Sequence, residues 1–175
     1  MVIDMETSNV HPEPKQSSDI SLKVPTDIRP LSYTDTLENN FCVSLWEILK
    51  GKCKFDVVKN EFCSVDIEVS EFDNPRNIVY VELKSRRNKY EECRSFIIGH
   101  QKMINIRDQR LLPAILVWGF TDEFYFTDYK PQFADFKPTR ICGKDAVYIN
   151  KYLCKRSLDN LAIHILKILR LGCEK

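Results

Sequence analysis

The sequence predicts an α/β domain built on a central mixed β-sheet flanked by helices. Three observations lead there. The segments Ser64-Val65-Asp66-Ile67-Glu68-Val69 and Val79-Tyr80-Val81-Glu82-Leu83-Lys84 alternate apolar and polar residues, the two-residue period of strands. The run Ala114-Ile115-Leu116-Val117-Trp118-Gly119-Phe120 is continuously apolar, as in a strand covered on both faces. Segments at 36–51 and 157–171 follow the helical period instead.

The elements are read in order as follows. Residues 1–33 lack hydrophobic periodicity and contain Pro12, Pro14, Pro25 and Pro30. They read as an extended or disordered tail that a protein partner can hold. Residues 34–175 are expected to form a single domain. A helix is expected over 36–51, capped by Asp35, with Glu38 three residues on and Gly51 at its stop. Leu37, Phe41, Leu45, Ile48 and Leu49 share its buried face. At about 100° per residue Glu38 projects onto that same face, and Glu47 nearly opposite.

Strands follow at 54–58, 62–70 and 78–85. In the second, Cys63, Val65, Ile67 and Val69 share one face, and Phe62, Ser64, Asp66 and Glu68 the other. Asp73-Asn74-Pro75 supplies turn chemistry. A hairpin symmetric about Asn74 sets Val69 against Val79, Ile67 against Val81 and Val65 against Leu83. The same register sets Asp66 opposite Glu82, with Lys84 further along the same polar face. A helix is expected over 91–107, with Cys93, Phe96, His100, Met103, Ile104 and Arg107 on one side and Gln101 and Lys102 flanking it. That helix is a crossover long enough to make strands 78–85 and 114–120 parallel. A returning strand at 124–129, a short strand at 147–149 and an amphipathic helix over 157–171, ending at Gly172, complete the order.

Composition narrows the function. With 26 basic and 25 acidic residues the net charge is +1, so the chain lacks the overall basicity of a nucleic-acid coat. Contact with phosphates must come from a local patch, and Lys84, Arg86, Arg87, Lys89 and Arg94 form one. Seven widely spaced cysteines include no C-x-x-C pair, which points to reduced thiols in an intracellular protein and away from a zinc site. No run of about 18 apolar residues and no charged-then-apolar leader pattern is present, so neither membrane insertion nor secretion is expected.

Two carboxylates facing each other across a ladder repel unless a cation lies between them. A surface salt-bridge ladder through Lys84 is one solution. A divalent ion is another, and one or two carboxylates plus water is a set that magnesium prefers.

Glu38 on a first helix, Asp66 on one strand and Glu82-Leu83-Lys84 on the next resemble the motif of the restriction-endonuclease-like, or PD-(D/E)XK, nuclease superfamily. Glu82-Leu83-Lys84-Ser85-Arg86, Ile98-Gly99-His100-Gln101-Lys102 and the strands around Trp118 and Tyr125 look most like small nuclease-like proteins of large DNA viruses. The resemblance covers about residues 36–150, with one departure: Val65, not proline, precedes the aspartate. It implies a restriction-endonuclease-like core and metal-dependent hydrolysis of phosphodiester bonds, with DNA as the expected substrate and RNA not distinguished from it. It implies that Asp66, Glu82 and Glu38 hold Mg²⁺, with Mn²⁺ as a substitute, and that Lys84 completes the catalytic set. Arg86, Arg87, Lys89, Gln101 and Lys102 are then the nucleic-acid contacts. The implied location is the cytoplasm or nucleus of a host cell, or a virion. The rival reading is a nuclease-fold structural or assembly subunit of a virion or transcription complex, with little or no activity.

Overall fold

The computed structural model of this chain describes residues 33–58 and 64–170. The tail expected over 1–33 therefore falls outside the described residues, apart from Tyr33. So do Phe62, Cys63 and Gly172.

The architecture is a mixed sheet flanked by helices, as the alternation predicts. Helix α1 spans Tyr33–Leu49. Strands β1 (Lys54–Val57), β2 (Ile67–Ser70) and β3 (Ile78–Ser85) follow. Next come β4 (Phe96–Gly99), α2 (His100–Asp108), β5 (Ala114–Gly119) and β6 (Phe124–Asp128). The chain continues with β7 (Thr139–Ile141), β8 (Lys144–Ile149), β9 (Lys155–Arg156) and α3 (Leu158–Ile168). Six strands form the main sheet in the order β1-β2-β3-β5-β6-β9, and β4-β8-β7 form a second. The β3–β5 pair is parallel, with Glu82 beside Leu116 and Lys84 beside Trp118. The other pairs are antiparallel. Among the described residues no helix is long and apolar enough to cross a membrane.

The main sheet lies between two cores. On one face Phe41, Leu45 and Leu49 of α1 and Leu161, Ile165 and Leu169 at α3 pack on Val79, Val81, Leu83, Ile115 and Val117. Each such fully buried side chain contributes roughly 1.5–3 kcal/mol. On the other face Phe96, Ile98, Met103, Ile106, Val147 and Ile149 pack on Leu116, Trp118 and Tyr125. The second core belongs to α2 and the small sheet. It covers the face of β3 that alternation alone marks as polar.

Several expectations are corrected. Helix α1 begins at Tyr33, so Asp35 lies inside it and is not its cap. The single helix expected over 91–107 is instead a short 3₁₀ turn (Tyr90–Glu92), the strand β4 and the shorter helix α2. Phe96 and Ile98 are buried while Ile97 between them is not, a strand pattern that also fits a helical stripe when read as isolated apolar positions. Gly99 then separates the two elements with an extended backbone. Strands β7 and β9 were not anticipated, because Thr139-Arg140-Ile141 and Lys155-Arg156 carry no apolar alternation.

The hairpin register holds where Val69 meets Val79 and Ile67 meets Val81. It ends there. The Asp66 N–H donates to the Val81 carbonyl at 2.9 Å, and Asp66 O accepts from Val58 N–H at 2.8 Å. Alternation breaks at this point, as at a bulge. Val65 consequently packs in the second core, not beside Ile67, and the expected Val65–Leu83 pair does not form.

Candidate active site

The break at Asp66 sets up the site. With no ladder partner continuing the strand, the Leu83 N–H needs another acceptor. Asp66 Oδ2 supplies it at 2.7 Å. Asp66 is thus not the ladder partner of Glu82, as the symmetric hairpin requires, but its carboxyl is fastened to the very next residue.

Glu82 sits in the middle of β3, pointing under α2, and is only 3 % exposed. The start of α2 is well anchored: a His100 ring nitrogen lies 2.8 Å from the Ala134 carbonyl, and the Tyr129 hydroxyl donates to Met103 O at 2.8 Å. Lys102 leans from this turn and donates to Glu82 Oε2 at 2.7 Å. Burial, first, and the nearby Asp66 charge, second, push the Glu82 carboxyl up to about 8. Lys102 opposes this, and a hydrogen bond between the two carboxyl groups adds to it. With its water removed, Glu82 therefore keeps its proton to higher pH than an exposed carboxyl does.

Among the described residues neither Glu38 nor Lys84, the rest of the expected catalytic set, is hydrogen-bonded or ion-paired to this cluster. Glu38 is half-buried on α1, where its Oε1 accepts from the Ser85 hydroxyl at 2.6 Å. That contact ties α1 to the end of β3, one residue beyond Lys84. Lys84 is exposed beside Trp118 and forms no ion pair with a described residue. Among the described residues, no three or more His, Cys, Asp and Glu side chains gather closely enough to hold a metal ion. The structure therefore brings Asp66, Glu82 and Lys102 together and leaves Glu38 on Ser85.

The basic residues divide as well. The Arg86 guanidinium donates to the Ile97 carbonyl, and its backbone N–H donates to Gly119 O at 2.7 Å. Burial lowers its pKa. Arg86, expected as a phosphate contact, here joins the small sheet to the main one. Arg87 and Lys89 are exposed, and Gln101 is exposed with its amide on Asn105 at 2.8 Å. Sequence reasoning assigned Lys102 to nucleic acid and missed it as the counter-ion of Glu82. It also passed over Ser85 and Ser64. The buried Ser64 hydroxyl, two residues before Asp66, has no hydrogen-bond partner among the described residues. A cavity of about 560 Å³ lined by Glu71, Asn74, Arg76 and Arg170 among others lies elsewhere, and none of the expected site residues lines it.

No protein-family model and no curated protein matches the chain. Among solved structures the fold is similar to that of Archaeoglobus fulgidus Hjc, a Holliday junction resolvase from an archaeal hyperthermophile. The two are 14% identical, the match covers 73% of this chain and 98% of that one, and the TM-score is 0.44.

Proposed function

We propose that this protein is a metal-dependent nuclease that hydrolyses phosphodiester bonds, with DNA as its substrate. The observation that carries the reading is the pairing of Asp66 with a buried Glu82 whose carboxyl is pushed up to about 8. Stability alone gives no reason to bury Glu82 beside a second acid, because taking a carboxylate out of water is costly even with Lys102 as its counter-ion. Strained titratable groups of this kind gather at functional sites.

The residues present fit a divalent cation. Asp66 and Glu82 are two oxygen donors already held together, and the orphaned Ser64 hydroxyl lies close in sequence. Mg²⁺ is the ion we infer, with Mn²⁺ as a substitute. When bound, such an ion supplies Lewis acidity and neutralises charge developing on the phosphate. Asp66 and Glu82 would hold it. Lys102 keeps the cluster near neutrality without it. Lys84 is exposed two residues from Glu82, where its ammonium can meet the scissile phosphate and stabilise its growing charge. Arg87 and Lys89 follow directly and would take flanking phosphates.

The test is nicking of supercoiled plasmid in Mg²⁺ or Mn²⁺. Asp66→Ala and Lys84→Ala are expected to abolish it with the circular dichroism spectrum unchanged. Cleavage by both variants at the wild-type rate would rule out this site.

One observation favours the assembly-subunit reading instead: Glu38 is engaged by Ser85, and among the described residues no third carboxylate joins the pair. That reading expects no cleavage and no rise in melting temperature on adding either ion.

A further inference from the structure

We propose that the juxtaposition of segment 87–94 with the turn Lys151–Leu153 is a stacking platform for unpaired bases, so that the nucleic acid bound has a single-stranded stretch. The inference names the substrate of the site proposed above and rests on that reading.

Tyr152 is 82 % exposed, more than any other exposed large apolar side chain of the described residues. Its backbone is nevertheless fixed. Asn150 Oδ1 accepts from Tyr152 N–H at 3.0 Å, and the N–H groups of Leu153 and Cys154 close the turn on Asn150 and Lys151 at 3.1 Å each. A rigid turn thus carries a ring with nothing packed over most of it.

The ring is linked through Lys151 to a stacked pair of tyrosines. Tyr125 and Tyr90 stack face to face, with centroids 4.0 Å apart and planes 9° from parallel. The Lys151 ammonium lies 4.5 Å from the Tyr90 centroid and 5.8 Å from that of Tyr152. The Lys151 ammonium thus lies near both the stacked pair and the Tyr152 ring. A base can stack on the open Tyr152 ring, and Lys151 beside it can meet a phosphate.

The surrounding charge suits a polyanion. Arg87, Lys89 and Arg94 are exposed on the segment that carries Tyr90. Arg156 is cancelled by Glu123 at 3.1 Å. Two of the nearby acids are engaged by backbone: Glu92 accepts from Lys89 N–H and Asp122 from Tyr90 N–H, each at 3.2 Å. Glu91 is the remaining exposed acid of this segment. The choice of an unpaired strand follows from geometry: a tyrosine ring stacks on a base face, and duplex base faces are already covered by their neighbours. Arg87 follows Glu82 by five residues, at most about 18 Å of extended chain, so a strand held here passes close to the carboxylates.

The experiment is fluorescence anisotropy of the full-length chain with labelled oligo(dT) and with a duplex of equal length, in EDTA at one fixed salt concentration. Tyr152→Ala is expected to weaken oligo(dT) binding about ten-fold, and Tyr152→Phe to stay within about two-fold of wild type. Neither should shift duplex affinity by more than about two-fold. Equal losses on both probes, an unchanged Tyr152→Ala, or absence of oligo(dT) binding by the wild type would each overturn the proposal. So would Tyr152-dependent binding of phosphatidylserine vesicles in place of oligo(dT). Because no metal is present, a failure of cleavage at Asp66 and a failure of stacking at Tyr152 are read separately.

Discussion

Lys102 Nζ lies 2.7 Å from Glu82 Oε2, an ion pair that joins the first turn of α2 to the centre of β3. The glutamate side chain is 4 % exposed and the lysine 37 %. Such a lopsided pair does different work for its two members. The lysine gains little from it, being partly in water. The glutamate has lost its water and depends on it.

Lys102→Met is therefore expected to destabilise the fold in a pH-dependent way. Without the ammonium, Glu82 holds its proton to still higher pH. The loss should be roughly 1–2 kcal/mol at pH 9, below that for a fully buried pair because solvent screens the lysine. It should be smaller at pH 6, where Glu82 is already protonated. Urea unfolding at the two pH values measures this. Equal losses at both would mean that Lys102 acts by packing alone.

Glu82→Gln isolates the titration itself. The Glu82 carboxyl, ordinarily near 4.5, titrates at about 8 in the fold. Between those values the folded state keeps a proton that the unfolded chain has released. The stability linked to Glu82 is thus full below about pH 4.5, is lost as pH rises towards 8, and is flat above. Wild type should lose roughly 4–5 kcal/mol over that window relative to Glu82→Gln. Melting temperature against pH for the two proteins gives the slope directly, and parallel profiles would refute the raised titration.

How much of this was legible from sequence follows from the kind of contact involved. The meeting of Val69 with Val79 and Ile67 with Val81 is local, joined by one turn, and alternation suffices to find it. The parallel placement of β5 beside β3 follows from the length of the crossover and the apolar run around Val117. The burial of Glu82 was not legible. Alternation sorts residues onto faces but does not say which face is wet, and here α2 and the small sheet cover the one that carries Glu82. The Glu82–Lys102 contact spans 20 residues and depends on α2 starting at His100, whereas a helix read from residue 91 hides that start. The Glu38–Ser85 bond spans 47 and has no signature in either segment.

Gly119 marks where α1 meets the sheet near the site. A Cβ added there would stand 2.7 Å from Leu37 Cδ2 and 2.8 Å from Phe124 Cε1. Both neighbours would have to shift, and Leu37 is one residue from Glu38. Gly119→Ala is expected to cost roughly 1–3 kcal/mol by overpacking. Chemical denaturation reads that cost. A stability within about 0.5 kcal/mol of wild type would show that the α1 contact yields freely.

Asp66 offers a way to separate fold from chemistry, because its carboxyl does two jobs. It accepts the Leu83 N–H at 2.7 Å, and its charge raises the Glu82 titration. Asp66→Asn keeps an acceptor oxygen and removes the charge. Asp66→Ala removes both and leaves a part-buried N–H unpaired. The alanine variant should therefore lose roughly 1–3 kcal/mol of stability and the asparagine variant less than about 1. In both, the Glu82 titration should fall from about 8 towards its ordinary range, read by carbon-13 NMR of the glutamate carboxyls. In Asp66→Asn the fold stands with one charged ligand missing, so metal-dependent nicking should vanish from a protein that still melts near the wild-type temperature. Nicking that survived in Asp66→Asn would remove Asp66 from the metal site and leave it as a strand cap for Leu83.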